Sequence, residues 1–423
     1  MRVMMALVLA ALVTSCGGPG NENDGNRALQ VWFHTGKPAE RATMKDSVAR
    51  WNQAHPEQPV DLVLIPEDGY GVQLQAAASA GRLPDLIDID GPWVANMAWK
   101  GQLRPLEDLL DAELQQRLLP SLIAQGTWNQ HLYAVGAFDS GLGLYGNKRL
   151  LAAAGLRIPD DIDQAWSATE FTAALQQLAA ADDDGAVLDL KLNYGGEWWT
   201  YAFSPVIQSA GGDLIDRANM REAQTVLAGP EAVAAMQQVQ DWIAQGLVDP
   251  NSDDVAMTTE RVALSWVGHW EYPRYRKALG EDLVVLPLPD FGTGSKTAMG
   301  SWAWAINATC PMPERAAAVL EFLLSDERVL AMSAANGAVP ATTTAITVSP
   351  TYGPEAPLHL FAEQLQRCAV PRPVTPAYPV ITDAFQTAFQ AIRNKGDVAQ
   401  ALQQAARTIE QDIADNDGYP VVE

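Results

Sequence analysis

The chain has 423 residues, 48% of them hydrophobic, enough to bury a sizeable core and to divide into two or three domains. Its 51 acidic side chains against 28 basic ones leave a formal net charge of -23. That field repels nucleic acid and anionic ligands; a neutral or cationic ligand fits it, as does a surface charged only for solubility.

The N-terminus "MRVMMALVLAALVTSC" carries one early cation, Arg2, and an apolar run from Val3 to Val13 that is too short to span a bilayer as a helix. It reads as a secretory leader over residues 1–15. Thr14 and Ser15 precede Cys16, and "VTSC" resembles the bacterial lipobox, in which the cysteine is acylated and becomes the first mature residue. A cleaved leader with an incidental cysteine is the alternative. Gly17 to Asn26 has the Gly, Asn and Asp content of a flexible tether.

Beyond the tether, "LQVWFH" from Leu29 predicts a strand, 40–54 a helix with Met44, Val48 and Trp51 on one face, and "VDLVLI" at 60–65 a second strand. A helix over 71–80 stops at Gly81, and "DLIDID" at 85–90 gives a third strand. Short connections in this alternation imply right-handed crossovers and a parallel sheet, with ligand beyond the carboxyl ends of the strands. Those ends bring Thr35, Gly36, Glu67, Asp68, Asp88, Asp90 and, through "GPWV", Trp93 to one rim.

Further along, "GLGLYGNKRLLAAAG" at 141–155 spells G-x-G-x-x-G, but Leu142, Leu144 and Tyr145 stand between its glycines and the helix begins only after Asn147. It reads as a small-residue strand, not a phosphate cradle. Ser167 and Glu170 have capping-box spacing before a helix. Gly229, Pro230 and Gly246 bracket another, with Val233, Met236, Val239 and Ile243 as its apolar face. "VALSWVG" and "DLVVLPLP" read as buried strands, Pro313 opens a helix through Leu324, and helices over 381–395 and 397–413 close the chain.

No cofactor or metal site is spelled. The five histidines, at 34, 55, 131, 269 and 359, form no i, i+3 or i, i+4 pair, and neither a G-x-S-x-G elbow nor a Walker loop occurs. "AADDDG", ending at Gly185, lacks acids at the first and last positions of a calcium loop. Cys310 and Cys368 lack a disulfide framework and read as two buried thiols.

Tryptophan stands out instead. Several of the 13 fall in loop-like, glycine-flanked clusters: "GPW", "GGEWWTY", "GHWEY" and "GSWAW". An indole presents a flat apolar face to the C–H patch of a sugar ring, while carboxylates and amides meet the hydroxyls at its edge. Trp32, Trp51 and Trp304 read as core; Trp270 and Trp302 read as site.

With those residues in view, the whole mature chain resembles the extracellular solute-binding proteins of bacterial ABC sugar importers, in their maltose and trehalose branch. The resemblance rests on "GRLPDLIDIDGPWVANMAWKGQLRPLEDLL", "GLYGNKRLLAAAGL", "PLPDFG", "GSWAWAI", "AANGAVPA" and "RPVTPAYPVITDAFQ", in order and spacing. It implies two α/β lobes joined by a hinge with the ligand cleft between them: an N-lobe of 28–136 plus 296–344 and a C-lobe of 137–295 plus 345–423. By position it implies sugar contacts from Glu40, Asp90, Asp139, Trp270, Tyr272, Ser301, Trp302 and Arg372, beside Trp93 on the rim. Ala137 stands where a tyrosine is frequent, and His269 and Glu271 flank Trp270 where relatives often carry Asn and Pro; these departures bear on which sugar is bound. Cys310 and Cys368 would fall in different lobes, where a bridge would obstruct opening.

The expectation is therefore a monomeric, non-enzymatic receptor without cofactor or metal. It would be anchored in the periplasm or at the cell surface by lipid on Cys16 and deliver a trehalose- or maltose-type disaccharide to ABC permease subunits. Alternatives are a sucrose or other oligosaccharide receptor, a secreted glycoside hydrolase using paired carboxylates, and a purely structural lipoprotein.

Overall fold

The computed structural model describes residues 27–66 and 69–421. The leader, Cys16, the tether to Asn26, and Glu67 and Asp68 of the expected rim lie outside the described residues. Among those described, no helix is long and apolar enough to cross a membrane.

Two five-stranded sheets organise the chain. The first runs Val60–Ile65, Leu29–His34, Leu86–Asp90, Trp302–Ile306, Ala134–Val135. Its first three strands are parallel, as the strand–helix alternation implies, and Trp302–Ile306 enters antiparallel beside Leu86–Asp90. That pairing sets Trp302 opposite Asp90, so an indole and a carboxylate meet at the sheet's end. The helix Pro38–Ala54 buries Met44 and Trp51 and packs on Asp326–Asn336 and Pro313–Leu323.

The second sheet runs Val248–Asp249, Leu188–Asp189, Leu264–Gly268, Leu142–Asn147, Leu283–Leu286. Leu142–Asn147 is the small-residue strand that the glycines predicted, and Asn147 caps the next helix by accepting from the Arg149 and Leu150 amides. The glycines serve packing: a Cβ on Gly143 would come within 2.9 Å of the Phe361 ring, and one on Gly146 within 2.8 Å of Leu151. Ser167 and Glu170 form the expected capping box.

Two elements differ from the sequence reading. "GGEWWTY" leads into the helix Trp198–Ser209, which is buried on every side and so lacks the polar face that marks an amphipathic helix. "GSWAW" runs into a central strand, Trp302–Ile306. In the helix Pro230–Ala244 the buried face includes Ala235 and Trp242, while Val233 and Ile243 stay half-buried, because Trp242 turns inward and donates to Thr172 Oγ1 at 2.9 Å.

The chain passes from the first sheet to the second between Val135 and Leu142, and returns between Leu286 and Trp302. Short ladders bind these passages, Phe138–Asp139 to Val339–Pro340 and Thr297–Met299 to Ala369–Pro371. Cys310 and Cys368 are buried and unbridged.

Candidate functional site

A cavity of about 930 Å³ opens where the two sheets face each other, near the upper end of the range for small-ligand sites. From the first sheet's side it is lined by Glu40, Asp90, Trp93, Ser301 and Trp302, five of the residues singled out above. Asp90 ends its strand and Gly91–Trp93 is a tight helical turn, so the indole follows the carboxylate onto the same edge. Asp88, one pleat further in, is 1% exposed and bonds His34 instead of reaching the rim. Trp32 is half-buried, and Trp51 and Trp304 are core.

The opposite wall carries Trp270, Trp198, Tyr201 and Tyr194. Trp270 packs edge-on to Trp198 at 6.2 Å between centroids. Lys37, at the start of the first helix, reaches over to donate to the Trp270 carbonyl at 2.6 Å. Tyr272 does not line the cavity: it opens the helix Tyr272–Leu279, just past the tight turn that carries Trp270, and is half-buried.

Arg372 joins the walls. Its guanidinium donates to both Asp90 oxygens, at 3.1 and 3.3 Å, and to Glu197 Oε1 at 2.7 Å, and it lies over the Tyr201 ring at 5.0 Å. Glu197 also accepts from Tyr378 Oη and, at 2.7 Å, from Thr382 Oγ1. Sequence reasoning missed Glu197. The only local signal was an acid inside "GGEWWTY", and its partners lie 175 to 185 residues away.

Asp139 is the clearest departure from the expected contacts. It is 0% exposed and absent from the cavity wall. Its carboxylate accepts from Ser121 Oγ at 2.6 Å and from the Ser140 and Gly300 amides at 2.8 and 3.0 Å. Gly300 needs its φ of +104°, and a Cβ there would strike Gln125 Oε1. Gln125 in turn holds the Ser301 carbonyl at 2.8 Å and its amide at 3.1 Å. Asp139 and Gln125 thus shape the loop that presents Ser301 and Trp302.

His269 lines the floor, with Nε2 2.9 Å from Ser140 Oγ, which itself donates to Ser301 Oγ at 3.1 Å. Burial, with the nearby Lys37 charge, pushes the imidazole down to about 3. An unfolded histidine titrates near ~6.5, so the stability gained from keeping this ring neutral is complete above that pH and is lost as pH falls towards 3. Urea midpoints measured from pH 7 to pH 4 should therefore fall more steeply in the wild type than in His269→Asn. Parallel slopes would rule this contribution out. Among the described residues, no group of three or more His, Cys, Asp or Glu is arranged to hold a metal.

Two sheets facing one another across a lined cavity, with strand-end residues on the rim, is a ligand-capturing architecture, and residues 35–328 match the bacterial extracellular solute-binding proteins. The chain belongs to that family. A relative of this solute-binding protein, described as an uncharacterized lipoprotein in the oleD 5′ region of Streptomyces antibioticus, is 26% identical over 82% of this chain and 78% of its own length. Among solved structures, the GacH receptor of Streptomyces glaucescens superposes with a TM-score of 0.76 at 21% identity, covering 93% of this chain and 98% of that one. The sugar-binding protein MalE of Xanthomonas citri gives 0.76 at 18%, covering 92% and 98%. The cyclic α-maltosyl-1,6-maltose binding protein of Arthrobacter globiformis gives 0.75 at 22%, covering 92% and 99%. At these identities the likeness establishes the fold: two α/β lobes joined by a hinge, with the cleft between them.

Proposed function

We propose that this solute-binding protein is a non-enzymatic receptor that captures a disaccharide of the trehalose or maltose type and delivers it to the transmembrane subunits of an ABC permease. The observation that carries this reading is the cavity wall: indoles from both sheets around one carboxylate–guanidinium–carboxylate bridge, Asp90–Arg372–Glu197. Flat apolar faces suit sugar rings, and charged hydrogen-bonding groups suit their hydroxyls. Tyr70 Oη, Trp198 Nε1, Tyr201 Oη and Arg372 Nε, all on cavity-lining residues, have no hydrogen-bond partner among the described residues. That mixed set of donors and acceptors favours a ligand whose groups do both.

The lobes in this reading are 28–136 plus 296–344 and 137–295 plus 345–423, closing on the ligand by hinge motion. Glu40, Asp90, Trp93, Trp270, Ser301, Trp302 and Arg372 contact the sugar, joined by Glu197. The protein acts as a monomer at the cell surface or in the periplasm, held by lipid on Cys16, a view supported by "VTSC" and by the lipoprotein relative. The GacH receptor was solved with acarbose, and the Arthrobacter protein is named for a cyclic maltosyl-maltose, which favours a carbohydrate ligand here.

Hydrolysis is the weaker reading because the carboxylates are engaged. Both Asp90 oxygens accept from Arg372, both Glu197 oxygens are bonded, and Glu40 accepts from Asn336 and the Lys37 amide. Titration with trehalose, maltose, sucrose and glucose, followed by calorimetry and tryptophan fluorescence, tests the proposal. One disaccharide should bind one-to-one, with about 8 kcal/mol for micromolar affinity, and release no glucose on long incubation. Glucose appearing in proportion to protein would replace the receptor with a hydrolase, and silence from all four would end the disaccharide assignment.

A further inference from the structure

Beneath Trp302 lies a buried charge that the carbohydrate reading leaves unused. His34 ends the first strand, is 3% exposed, and stacks on the Trp302 indole with 4.0 Å between centroids and 9° between planes. Tyr70 meets the same indole edge-on at 5.3 Å. Trp302 is half-buried and lines the cavity with His34 and Tyr70, and beyond these two rings no further ring contact to its indole occurs among the described residues.

Two carboxylates from different elements face the imidazole. Nδ1 bonds Asp88 of the third strand, and Nε2 lies 3.6 Å from Glu40 Oε1 of the first helix. Glu40 also accepts from Asn336 Nδ2 at 3.2 Å and from the Lys37 amide at 3.3 Å. Burial opposes a charge on His34, but Asp88 and Glu40 outweigh it and raise the ring to about 10. Burial lifts the Asp88 carboxyl, with the facing imidazole pulling it back; Glu40, which burial would raise, is instead held low by bonding His34. Two carboxylates facing one ring favour the protonated imidazole.

We propose that His34 is a positioning residue of the sugar site: a buried cation that fixes the Trp302 indole and turns its open face against cationic rings, so that the pocket takes neutral sugars and rejects amino sugars. This rests on the carbohydrate reading above. An indole face attracts a cation through its quadrupole. Here one face already serves His34, and an ammonium on the other would meet a depleted π-system and a like charge behind it. The C–H patch of a neutral ring loses little by comparison.

Asp88 and Glu40 already face a cationic partner in His34, Asp90 and Glu197 share Arg372, and Lys37 Nζ lies 3.9 Å from Glu271. A ligand ammonium would have to compete with one of those cations for its carboxylate.

The test has a ligand-free arm and a ligand arm. Nitrogen-15 spectra of the histidine rings should show His34 doubly protonated from pH 5 to pH 9 in the wild type and titrating within that window in Asp88→Asn; a neutral His34 at pH 7 overturns the proposal. In the ligand arm, trehalose and maltose are each compared with their 2-amino-2-deoxy derivatives. The wild type should favour the neutral sugar by at least about tenfold, and His34→Asn should shrink that ratio about tenfold while tryptophan emission brightens as the imidazolium quencher is lost. A variant that merely loosened Trp302 would weaken both sugars alike, so an unchanged ratio overturns the charge role. If no neutral sugar binds, the carbohydrate reading fails and the selectivity claim with it, while the ring titration still decides whether His34 is the buried cation.

Discussion

Replacing Arg372 with alanine is expected to destabilise the protein by roughly 2–4 kcal/mol and to weaken sugar binding more than a hundredfold. Arg372 is 5% exposed and is the shared partner of two carboxylates. Breaking a buried pair costs more than the pair contributed, because the surviving charge remains desolvated. Here two such charges would survive and repel each other. The Asp90 and Glu197 side chains are 22% and 26% exposed, so solvent relieves part of the cost and places the figure below that of a fully sealed pair. Binding suffers separately, since each hydrogen bond to a charged group contributes on the order of 1.5–3 kcal/mol, and a sugar seated here meets the guanidinium and both acids it orients. Arg372→Lys should fall between, keeping the charge but losing the fork that engages both partners. Chemical denaturation and calorimetric titration of the two variants check this. Wild-type values in Arg372→Ala would remove the bridge from the site.

Much of the framework was legible because it is written in short-range pattern. Strand, helix, strand, helix, strand over residues 29–90 follows from apolar runs separated by capping signals, and the Leu142–Asn147 strand follows from apolar residues between the glycines. What stayed hidden depends on partners far along the chain. Trp302–Ile306 is a central strand because Leu86–Asp90, more than 200 residues earlier, offers it an edge, and nothing in "GSWAW" announces that edge. Trp198–Ser209 is helical but buried all round, so it carries no period to read. At the site, glycine-flanked tryptophans drew attention to Trp270 and Trp302, which line the cavity, because a stacking face near flexible backbone is a local signature. Glu197 and His34 had none. Their roles come from Arg372 and Trp302, which only the fold brings close.

Asp139 shows the same limit from the other side, since a carboxylate at the expected position turned its oxygens inward. Asp139→Ala should therefore act mainly on stability, by about 3 kcal/mol, because the Ser140 and Gly300 amides lose a charged acceptor in a place water does not reach. Affinity should fall as a consequence, through the displaced Ser301 and Trp302. Asp139→Asn separates this from a direct sugar contact. The amide oxygen can still accept from both backbone groups, and the Ser121 hydroxyl can turn to accept from the new NH2. Burial already holds the carboxyl above the usual range, so exchanging it for a neutral group removes little that the fold depended on. Asp139→Asn should thus keep a thermal midpoint close to wild type and bind its sugar within a fewfold of wild type. A sealed carboxylate that only shapes a loop predicts that rescue. A carboxylate that grips a hydroxyl predicts the opposite, with both variants losing affinity while their melting points hold.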